Sequence, residues 1–483
     1  MGNALEIDGL GFSYPAIDTE RPATPVLDGI TASIPEGSFS VLLGATGSGK
    51  TTLLRLLKPE LAPHGERAGS VRLFGTHLDA LSPQQSAAEI GYVFQNPENQ
   101  IVCDTVWHEL AFGHENLGLG QQEMHQRIAE TCYFFGIEPW YRKRTAELSG
   151  GQKQILALAA LMVMRPKVLL LDEPASMLDP LAQRTFLSLL YRMNQELGIA
   201  VVVCTHAPKP LAPYADHAFL LHGYGEEAPQ LEEVDVGCLK QEEPLRIATG
   251  LRPQKGPFGE PAVDLTDVYF RYARNAPWVL RSLSLSVGKG EIRALVGGNG
   301  SGKSTLLSVI AGLGRAQHGR VRNAARSLQA FLPQNPKALF SKETIAEELM
   351  EWGGTVGYGM DEAKACLERL GLPQDDAFLS HHPYDVSGGQ QQLVALAKLL
   401  LTKPELLLLD EPSRGLDRKA KSALVDALLA AQAEGVTVIM SSHDEELIEA
   451  AASSVSLLFD GNVALTAPTA EFLSSSWLWG QKR

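Results

Sequence analysis

The chain has 483 residues, of which 45% are hydrophobic and 20% charged, a composition typical of globular domains with sizeable cores. The length predicts roughly two to four domains, and a net charge of −14 argues against general affinity for nucleic acid or anionic lipid. The longest apolar run, residues 155–164, is about half of a membrane span, and the opening residues lack a signal-peptide layout, so we expect neither feature.

The first motif in chain order is a phosphate-binding loop, G-x-x-G-x-G-K-[ST], at residues 44–51. It follows a short apolar strand and opens an apolar helix, a setting in which glycine N–H groups and a helix N-terminus face a phosphate. The lysine of such a loop reaches the β- and γ-phosphates, and the next hydroxyl is placed to hold Mg²⁺. The predicted ATP-binding residues are Gly44, Thr46, Gly47, Ser48, Gly49, Lys50, Thr51 and Thr52, with Thr51 also a metal ligand.

Four further motifs follow in the first half. Gln95 stands where a mobile loop would bring it to the metal and the attacking water. Residues 149–152 (Ser149, Gly150, Gly151 and Gln152) begin a long apolar helix, which predicts a second anion site. An apolar strand ends in Asp172, suited to Mg²⁺, and Glu173, suited to be the general base. His206 follows a β-branched strand and is interpreted as a γ-phosphate switch.

Residues 226–261 differ from both flanks in composition. Acidic residues come first and are followed by a stretch rich in proline and glycine. This pattern predicts an exposed linker with one short helix, between a first domain at 1–225 and a second at 262–483.

The second half repeats the motifs in the same order. The repeated residues are Gly297, Asn299, Gly300, Ser301, Gly302, Lys303, Ser304, Thr305, Gln334, Ser387, Gly388, Gly389, Gln390, Asp410, Glu411 and His443. The two P-loop lysines are 253 positions apart, the two glutamines 239 and the two histidines 237, as in tandem homologous domains. The change after the P-loop indicates a deletion of about 14 residues. The first half has a strand-like stretch there, 69–75, of which the second retains only 319–323.

Each domain already binds its phosphates through its own P-loop, so the S-G-G-Q anion site needs a nucleotide from a partner domain. This predicts a head-to-tail sandwich of the two domains with two composite sites.

These motifs, in this order and over nearly the whole chain, resemble the ATP-binding-cassette (ABC) ATPases. The resemblance implies an α/β fold of two tandem P-loop NTPase domains, each with a mixed β core, an antiparallel β subdomain and a helical signature subdomain. It implies ATP hydrolysis with Mg²⁺, and it places Ser387 and Gly389 at the first P-loop and Ser149 and Gly151 at the second. Glu173, Glu411, His206, His443, Gln95 and Gln334 would be catalytic; Thr51, Gln95, Asp172, Ser304, Gln334 and Asp410 would bind the metal; and Tyr14 and Tyr272 would stack on adenine.

The stretch after Gln95 looks like the corresponding segment of energy-coupling factor (ECF) ATPases, which power micronutrient importers. It reads Q-N-P-E-N-Q and then A-F-G-H-E-N-L-G. The resemblance implies partners: a transmembrane T component, whose coupling helix would offer an arginine to Glu98, and a substrate-binding S component. It also implies a place at the cytoplasmic face of the cell membrane. Glu98 alternatively complements a helix dipole, and the second half has Lys337 at this position.

Other functions remain open. A sugar-type importer ATPase usually has one degenerate site, whereas both general bases are present here. A ribosome-acting tandem ATPase usually has a long charged linker and lacks the switch histidine, and a repair ATPase would need zinc-binding cysteine clusters instead of five scattered cysteines. The segment from Trp477 to Trp479 could dock on a partner or pack on the domain. Nothing in an ATP site identifies the transported molecule.

Overall fold

The computed structural model describes residues 2–15, 25–45, 47–118, 120–176, 178–225, 230–240, 244–476 and 479. Its contacts divide the chain into two compact units, Met1–Glu243 and Pro244–Arg483, and the division falls inside the predicted linker. Within the described ranges, every helix is too short or too polar to cross a bilayer.

The first unit contains strands and helices in the alternation that the motifs predict. In chain order they are β1 (Asn3–Ser13), β2 (Pro25–Pro35), β3 (Phe39–Leu43), α1 (Lys50–Leu56), β4 (Glu66–Leu73), β5 (Thr76–His77), α2 (Pro83–Glu89), β6 (Ile90–Val93), α3 (Val106–Leu117), α4 (Gln121–Phe135), α5 (Gly150–Val163), β7 (Val168–Asp172), α6 (Pro180–Leu197), β8 (Ala200–Thr205), β9 (His217–Leu221) and β10 (Leu231–Val234).

These strands form two sheets. An antiparallel sheet has the order β2-β1-β4-β5, and a six-stranded sheet has the order β10-β9-β3-β8-β7-β6, parallel except for β10. The central strands are buried on both faces, which explains their continuous apolar runs. Because β3, β7 and β8 are parallel, the P-loop, Asp172 and His206 emerge at the same edge of the sheet.

The second unit repeats this plan. Its elements are β11 (Pro261–Phe270), β12 (Leu280–Gly288), β13 (Ile292–Val296), α7 (Lys303–Ala311), β14 (His318–Asn323), β15 (Gln329–Leu332), α8 (Ile345–Met350), α9 (Gly353–Val356), α10 (Met360–Arg369), α11 (Asp376–Ser380), α12 (Gly388–Leu400), β16 (Leu406–Asp410), α13 (Arg418–Ala433), β17 (Thr437–Ser441), α14 (Glu445–Ala451), β18 (Ser454–Phe459), β19 (Asn462–Pro468) and α15 (Thr469–Ser475). The order β15-β16-β17-β13-β18-β19 matches that of the first unit strand for strand.

The deletion in the second half removes β5 and α2, not the strand that the sequence marked as shortened. Residues 318–323 still form β14, which pairs antiparallel with β11. The stretch 324–328, all of it described, contains neither helix nor strand and leads directly into β15. The second antiparallel sheet therefore has the order β12-β11-β14, and no strand of the described residues pairs with the outer edge of β14.

The later part of the predicted linker lies against the second unit. Asp426 on α13 accepts hydrogen bonds from the backbone N–H of Ala248 (2.8 Å) and Thr249 (3.0 Å) and from the Thr249 hydroxyl (2.6 Å). Leu245 and Ile247 pack on the core of that unit. A short 3-10 helix, Val236–Lys240, occupies the earlier part, while residues 226–229 and 241–243 lie outside the described ranges.

Candidate ATP sites

The first P-loop joins β3 to α1 in a conformation that requires glycine at particular positions. A Cβ on Gly44 would lie 2.5 Å from the carbonyl oxygen of Leu221, so no larger residue fits there. Gly49 caps α1 with a φ of 98°, a left-handed conformation that glycine adopts without strain. The resulting bare backbone is the cradle that a phosphate requires.

Two polar side chains of this loop, those of Lys50 and Ser48, are buried. Lys50 is buried, and its Nζ donates to the carbonyl oxygens of Gly44 and Ala45, both at 2.8 Å. Ser48 Oγ is buried without a hydrogen-bond partner among the described residues. A buried hydroxyl without a partner costs free energy, which an anion accepting from it would offset. Thr46 lies outside the described residues.

The second P-loop reproduces this geometry. Lys303 Nζ donates to the carbonyl oxygens of Gly297 (2.7 Å) and Gly298 (3.2 Å), and Ser301 Oγ is buried without a hydrogen-bond partner in the described part of the unit. A Cβ on Gly297 would lie 2.4 Å from a backbone oxygen of β18. The other predicted members, Gly47, Thr52, Asn299, Gly300, Gly302 and Thr305, lie in the two loops or in the first turns of α1 and α7.

Asp172, at the end of β7, is joined to the first P-loop. Its Oδ1 accepts from Thr51 Oγ1 (3.0 Å) and from Cys204 Sγ (3.0 Å), and its Oδ2 accepts from Tyr92 (3.3 Å). Burial raises the pKa of the Asp172 carboxyl, while the bonds from Cys204 and Thr51 lower it. A hydroxyl beside a carboxylate is an oxygen donor set that suits Mg²⁺. Thr51 and Asp172 would hold that ion, which would shield the phosphate charge.

In the second unit the corresponding carboxylate has a different partner. Asp410 Oδ1 accepts from Ser441 Oγ at 2.6 Å, and Ser441 stands where the first unit has Cys204. Ser304 is the second residue of α7, directly after Lys303. Sequence reasoning missed the contacts of Tyr92, Cys204 and Ser441. The last two could have been found, because each lies two positions before its switch histidine.

The two glutamates predicted to be general bases occupy a strained backbone conformation. Glu173 and Glu411 have φ of 47° and 53°, a left-handed region that costs a non-glycine residue about 1 kcal/mol or more. Such strain persists where the surrounding structure requires one orientation, and it clusters at active sites. The same conformation recurs at the equivalent position of each unit, so the backbone presents the two glutamates alike directly after β7 and β16.

His206 and His443, the predicted switch histidines, contact these glutamates. His206 Nδ1 lies 2.8 Å from Glu173 Oε1, and Thr205 Oγ1 donates to Oε2 at 3.3 Å. In the second unit His443 Nε2 lies 3.4 Å from Glu411 Oε1. Burial raises the pKa of Glu411 to about 7.

The ring of Trp479 lies nearly parallel to that of His443, with centroids 6.3 Å apart. Trp479 is buried in the core of the second unit, as expected for a packed tail, whereas Trp477 lies outside the described residues.

The two predicted adenine-stacking tyrosines are placed alike. Tyr14 Oη lies 3.1 Å from Thr52 Oγ1, and Tyr272 Oη lies 2.9 Å from Thr305 Oγ1. Each ring packs edge-on against the phenylalanine two residues before it. Tyr14 is 40% exposed and Tyr272 71% exposed, so each keeps a ring face for a base.

The S-G-G-Q motifs are helix caps. Ser149 Oγ accepts from the Gln152 N–H while Gln152 Oε1 accepts from the Ser149 N–H, and Ser387 and Gln390 repeat this capping box. Each serine thus keeps its O–H hydrogen for an anion. A Cβ on Gly389 would lie 3.0 Å from a backbone oxygen, and Gly150, Gly151 and Gly388 form the remainder of the first turns of α5 and α12.

Gln95 and Gln334 follow β6 and β15 at the edge where Asp172 and Asp410 end their strands. Glu98 forms an ion pair with Lys153 on α5, with Nζ 2.6 Å from Oε1. Lys337, its counterpart, lies 5.1 Å over the ring of Tyr384 instead.

Comparison with known proteins agrees with this geometry. The family description "ABC transporter" matches residues 27–176 and 280–414. A "Putative ABC transporter ATP-binding protein" of Bacillus cereus is 36% identical over 98% of this chain and 93% of its own. A "Putative HMP/thiamine import ATP-binding protein" of Bacillus subtilis is 32% identical over 97% of this chain and 92% of its own.

Among solved structures, one named "RNase-L Inhibitor" superposes with a TM-score of 0.63 at 20% identity, covering 97% of this chain and 93% of its own. At this identity the likeness concerns only the fold, which is a tandem of two P-loop domains. The family match, in contrast, rests on sequence and covers a stretch of each unit. The chain therefore belongs to the ABC transporter family, as an ATP-binding ATPase with two such domains in one polypeptide.

Proposed function

We propose that the chain is the energising ATPase of an ECF-type importer for a micronutrient, such as a vitamin, a vitamin precursor, or a cobalt or nickel ion. The observation that carries the proposal is the segment after Gln95, where an ECF-like sequence coincides with exposed apolar side chains. The relative named for HMP/thiamine import supports the same class of transporter.

Three large apolar residues are exposed in this segment, which we call the α3 segment. Val102 is 63% exposed, Trp107 44% and Phe112 43%. Large apolar side chains that stay exposed this close together in the chain make the segment a candidate protein interaction site. The nearby Glu98 carboxylate, although paired with Lys153, remains accessible to a partner cation. An amphipathic helix bearing an arginine has the chemistry to bind here.

The second unit does not share this surface. Glu109 and Glu348 each accept from backbone N–H groups six or seven residues earlier, which aligns α3 with α8 at the 239-residue offset. At that offset Ala346 replaces Trp107 and Glu351 replaces Phe112. Glu351 is itself paired with Lys398 at 2.6 Å. We infer that the two units receive different segments of the T component.

The ATP sites would be composite. In the first, Lys50, Thr51 and Asp172 would bind phosphate and Mg²⁺, Gln95 would assist, and the S-G-G-Q serine of the second unit would close the site. Glu173 would polarise the attacking water, with His206 next to the γ-phosphate. The second site would use the repeated residues in the same roles, with Ser149 closing it. Hydrolysis would reopen the sandwich and move the T component, at the cytoplasmic face of the membrane, against the substrate-binding S component.

A variant pair tests this function. The tagged chain with Trp107→Ala and Phe112→Ala is expressed in its host, and membrane proteins that co-purify in mild detergent are quantified. Tyr133→Ala is the matched control, because Tyr133 is an aromatic residue on the neighbouring α4 and is 82% exposed. We expect the double variant to lose a T-type membrane partner while retaining ATP binding, and the control to keep that partner. Equal recovery of the membrane partner with the wild type, the double variant and the Tyr133→Ala control would contradict the proposed docking.

A further inference from the structure

The deletion of β5 and α2 leaves a cavity in the second unit. Its volume is about 900 Å³, and it lies between the open edge of β14 and the C-terminal end of α7. In the first unit the outer edge of β4 is covered by β5, where Arg72 donates to His77 at 3.3 Å. Small-molecule sites in proteins have volumes of roughly 300–1,000 Å³, so the cavity is large enough for a metabolite.

Three arginines and one carboxylate line this cavity: Arg315, Arg322, Arg326 and Asp264. Asp264 lies opposite Arg322 in the pairing of β11 with β14. Within the described ranges, none of the three guanidinium groups forms an ion pair with a carboxylate within 4.0 Å. Guanidinium groups bind carboxylates and phosphates through paired hydrogen bonds. The cavity therefore offers cationic donors that this part of the chain leaves unused.

The local charge supports the same conclusion. Residues 261–332, from β11 to β15, contain ten Lys and Arg against three Asp and Glu, a net charge of +7. The matching residues 3–93 contain six against ten, a net charge of −4. The basic character thus belongs to the second unit alone, in a chain whose net charge is −14. A positive region in an otherwise acidic protein attracts anions selectively to one place.

Protection of the strand edge does not account for all three arginines. Charged side chains on an exposed edge strand commonly prevent pairing with another chain, and Arg322 on β14 could have that role. Arg315 precedes β14 and Arg326 follows it, so neither lies on the edge. A Cβ on Gly312 would lie 2.8 Å from an Arg326 guanidinium nitrogen, which shows that this side chain packs over the end of α7.

We propose that this cavity binds a small organic polyanion, a molecule with two or more carboxylate or phosphate groups. Its anionic groups would pair with Arg315, Arg322 and Arg326, and its body would rest against Val309 and Ile310 at the end of α7. Because α7 begins at Lys303, a bound ligand would contact the helix whose first turn belongs to the second P-loop.

Isothermal titration calorimetry of the full chain tests the proposal. Citrate and pyrophosphate are the probes, and saturating ADP without added magnesium keeps them out of the P-loops and avoids chelation. We expect the wild type to bind at least one probe with one site per chain, and Arg322→Ala with Arg326→Ala to weaken that affinity about tenfold or more. Arg72→Ala, at the matching position of the first unit, should leave the affinity unchanged.

Circular dichroism and the melting temperature check that the double variant is folded. If it is not, Arg315→Glu replaces it, since that side chain is exposed and lies outside the helices and strands. Binding of citrate but not of pyrophosphate would show that the ligand carries carboxylate groups. Binding of pyrophosphate but not of citrate would show that it carries phosphate groups. Absence of binding by either probe at millimolar concentration, or equal binding by wild type and arginine variants, would overturn the proposal.

Discussion

The substitution Glu173→Gln tests the first ATP site with little disturbance of its structure. The amide has almost the same volume, and its oxygen can still accept from Nδ1–H of His206, which now lies 2.8 Å from the carboxylate. Its NH₂ group can donate to Thr205 Oγ1. The P-loop bonds of Lys50 do not involve this side chain, so ATP binding should be unchanged.

The substitution should therefore lower the rate of the hydrolysis step. Removal of a positioned general base typically lowers a rate by about 10²–10⁴, which corresponds to about 3–5 kcal/mol of activation free energy. If the two sites hydrolyse ATP independently, Glu173→Gln leaves about half of the steady-state rate. If each cycle needs both sites, it leaves about 1% or less. Glu173→Gln combined with Glu411→Gln should lose the full factor in either case.

The assay is phosphate release at saturating MgATP, together with equilibrium binding of ATP to each variant. Glu196→Gln is the matched control, because this carboxylate is exposed on α6 and pairs only with Arg192 among the described residues. A Glu173→Gln protein that hydrolyses ATP at the wild-type rate would refute the role of Glu173. Loss of ATP binding would instead refute the separation of binding from catalysis.

Three further predictions concern the second unit. In the Glu173→Gln background, activity should rise about tenfold from pH 6 to pH 8, because a base whose pKa is about 7 acts only when deprotonated; a flat pH profile would contradict this. Lys398→Met should destabilise this unit in urea unfolding by about 3–5 kcal/mol, because it leaves the fully buried Glu348 without its cation. Asp426→Ala should speed tryptic cleavage after Arg246 about tenfold or more, since three hydrogen bonds to the linker are lost; unchanged cleavage would show that they do not hold it.

The phosphate-binding motifs could be predicted from sequence because binding a phosphate requires particular residue types at short, fixed spacings. The P-loops, the Asp-Glu pairs and the switch histidines each follow an apolar strand, and parallel pairing brings the ends of those strands to one edge. The family comparison confirms the α/β tandem fold that these motifs predicted. The chemical roles of the individual residues stay predictions.

Features that depend on register or on distant segments could not be predicted. Tyr92 reaches Asp172 only because β6 and β7 pair in one particular register. The shortened stretch at 318–323 remains a strand because β11 supplies its hydrogen bonds, which length alone does not reveal. Composition predicted an exposed linker but not that Asp426, some 177 residues further along the chain, would fix part of it by hydrogen bonds.

The most direct test of the importer function is the identity of the proteins that accompany the wild-type chain. The chain is tagged in its native host, membranes are extracted in mild detergent, and the co-purifying proteins are identified by mass spectrometry. Our account predicts a T-type membrane protein together with a small hydrophobic S protein, whose specificity would also identify the substrate. Recovery of ribosomes or of DNA, with no membrane partner, would contradict the transport function and leave only the ATPase.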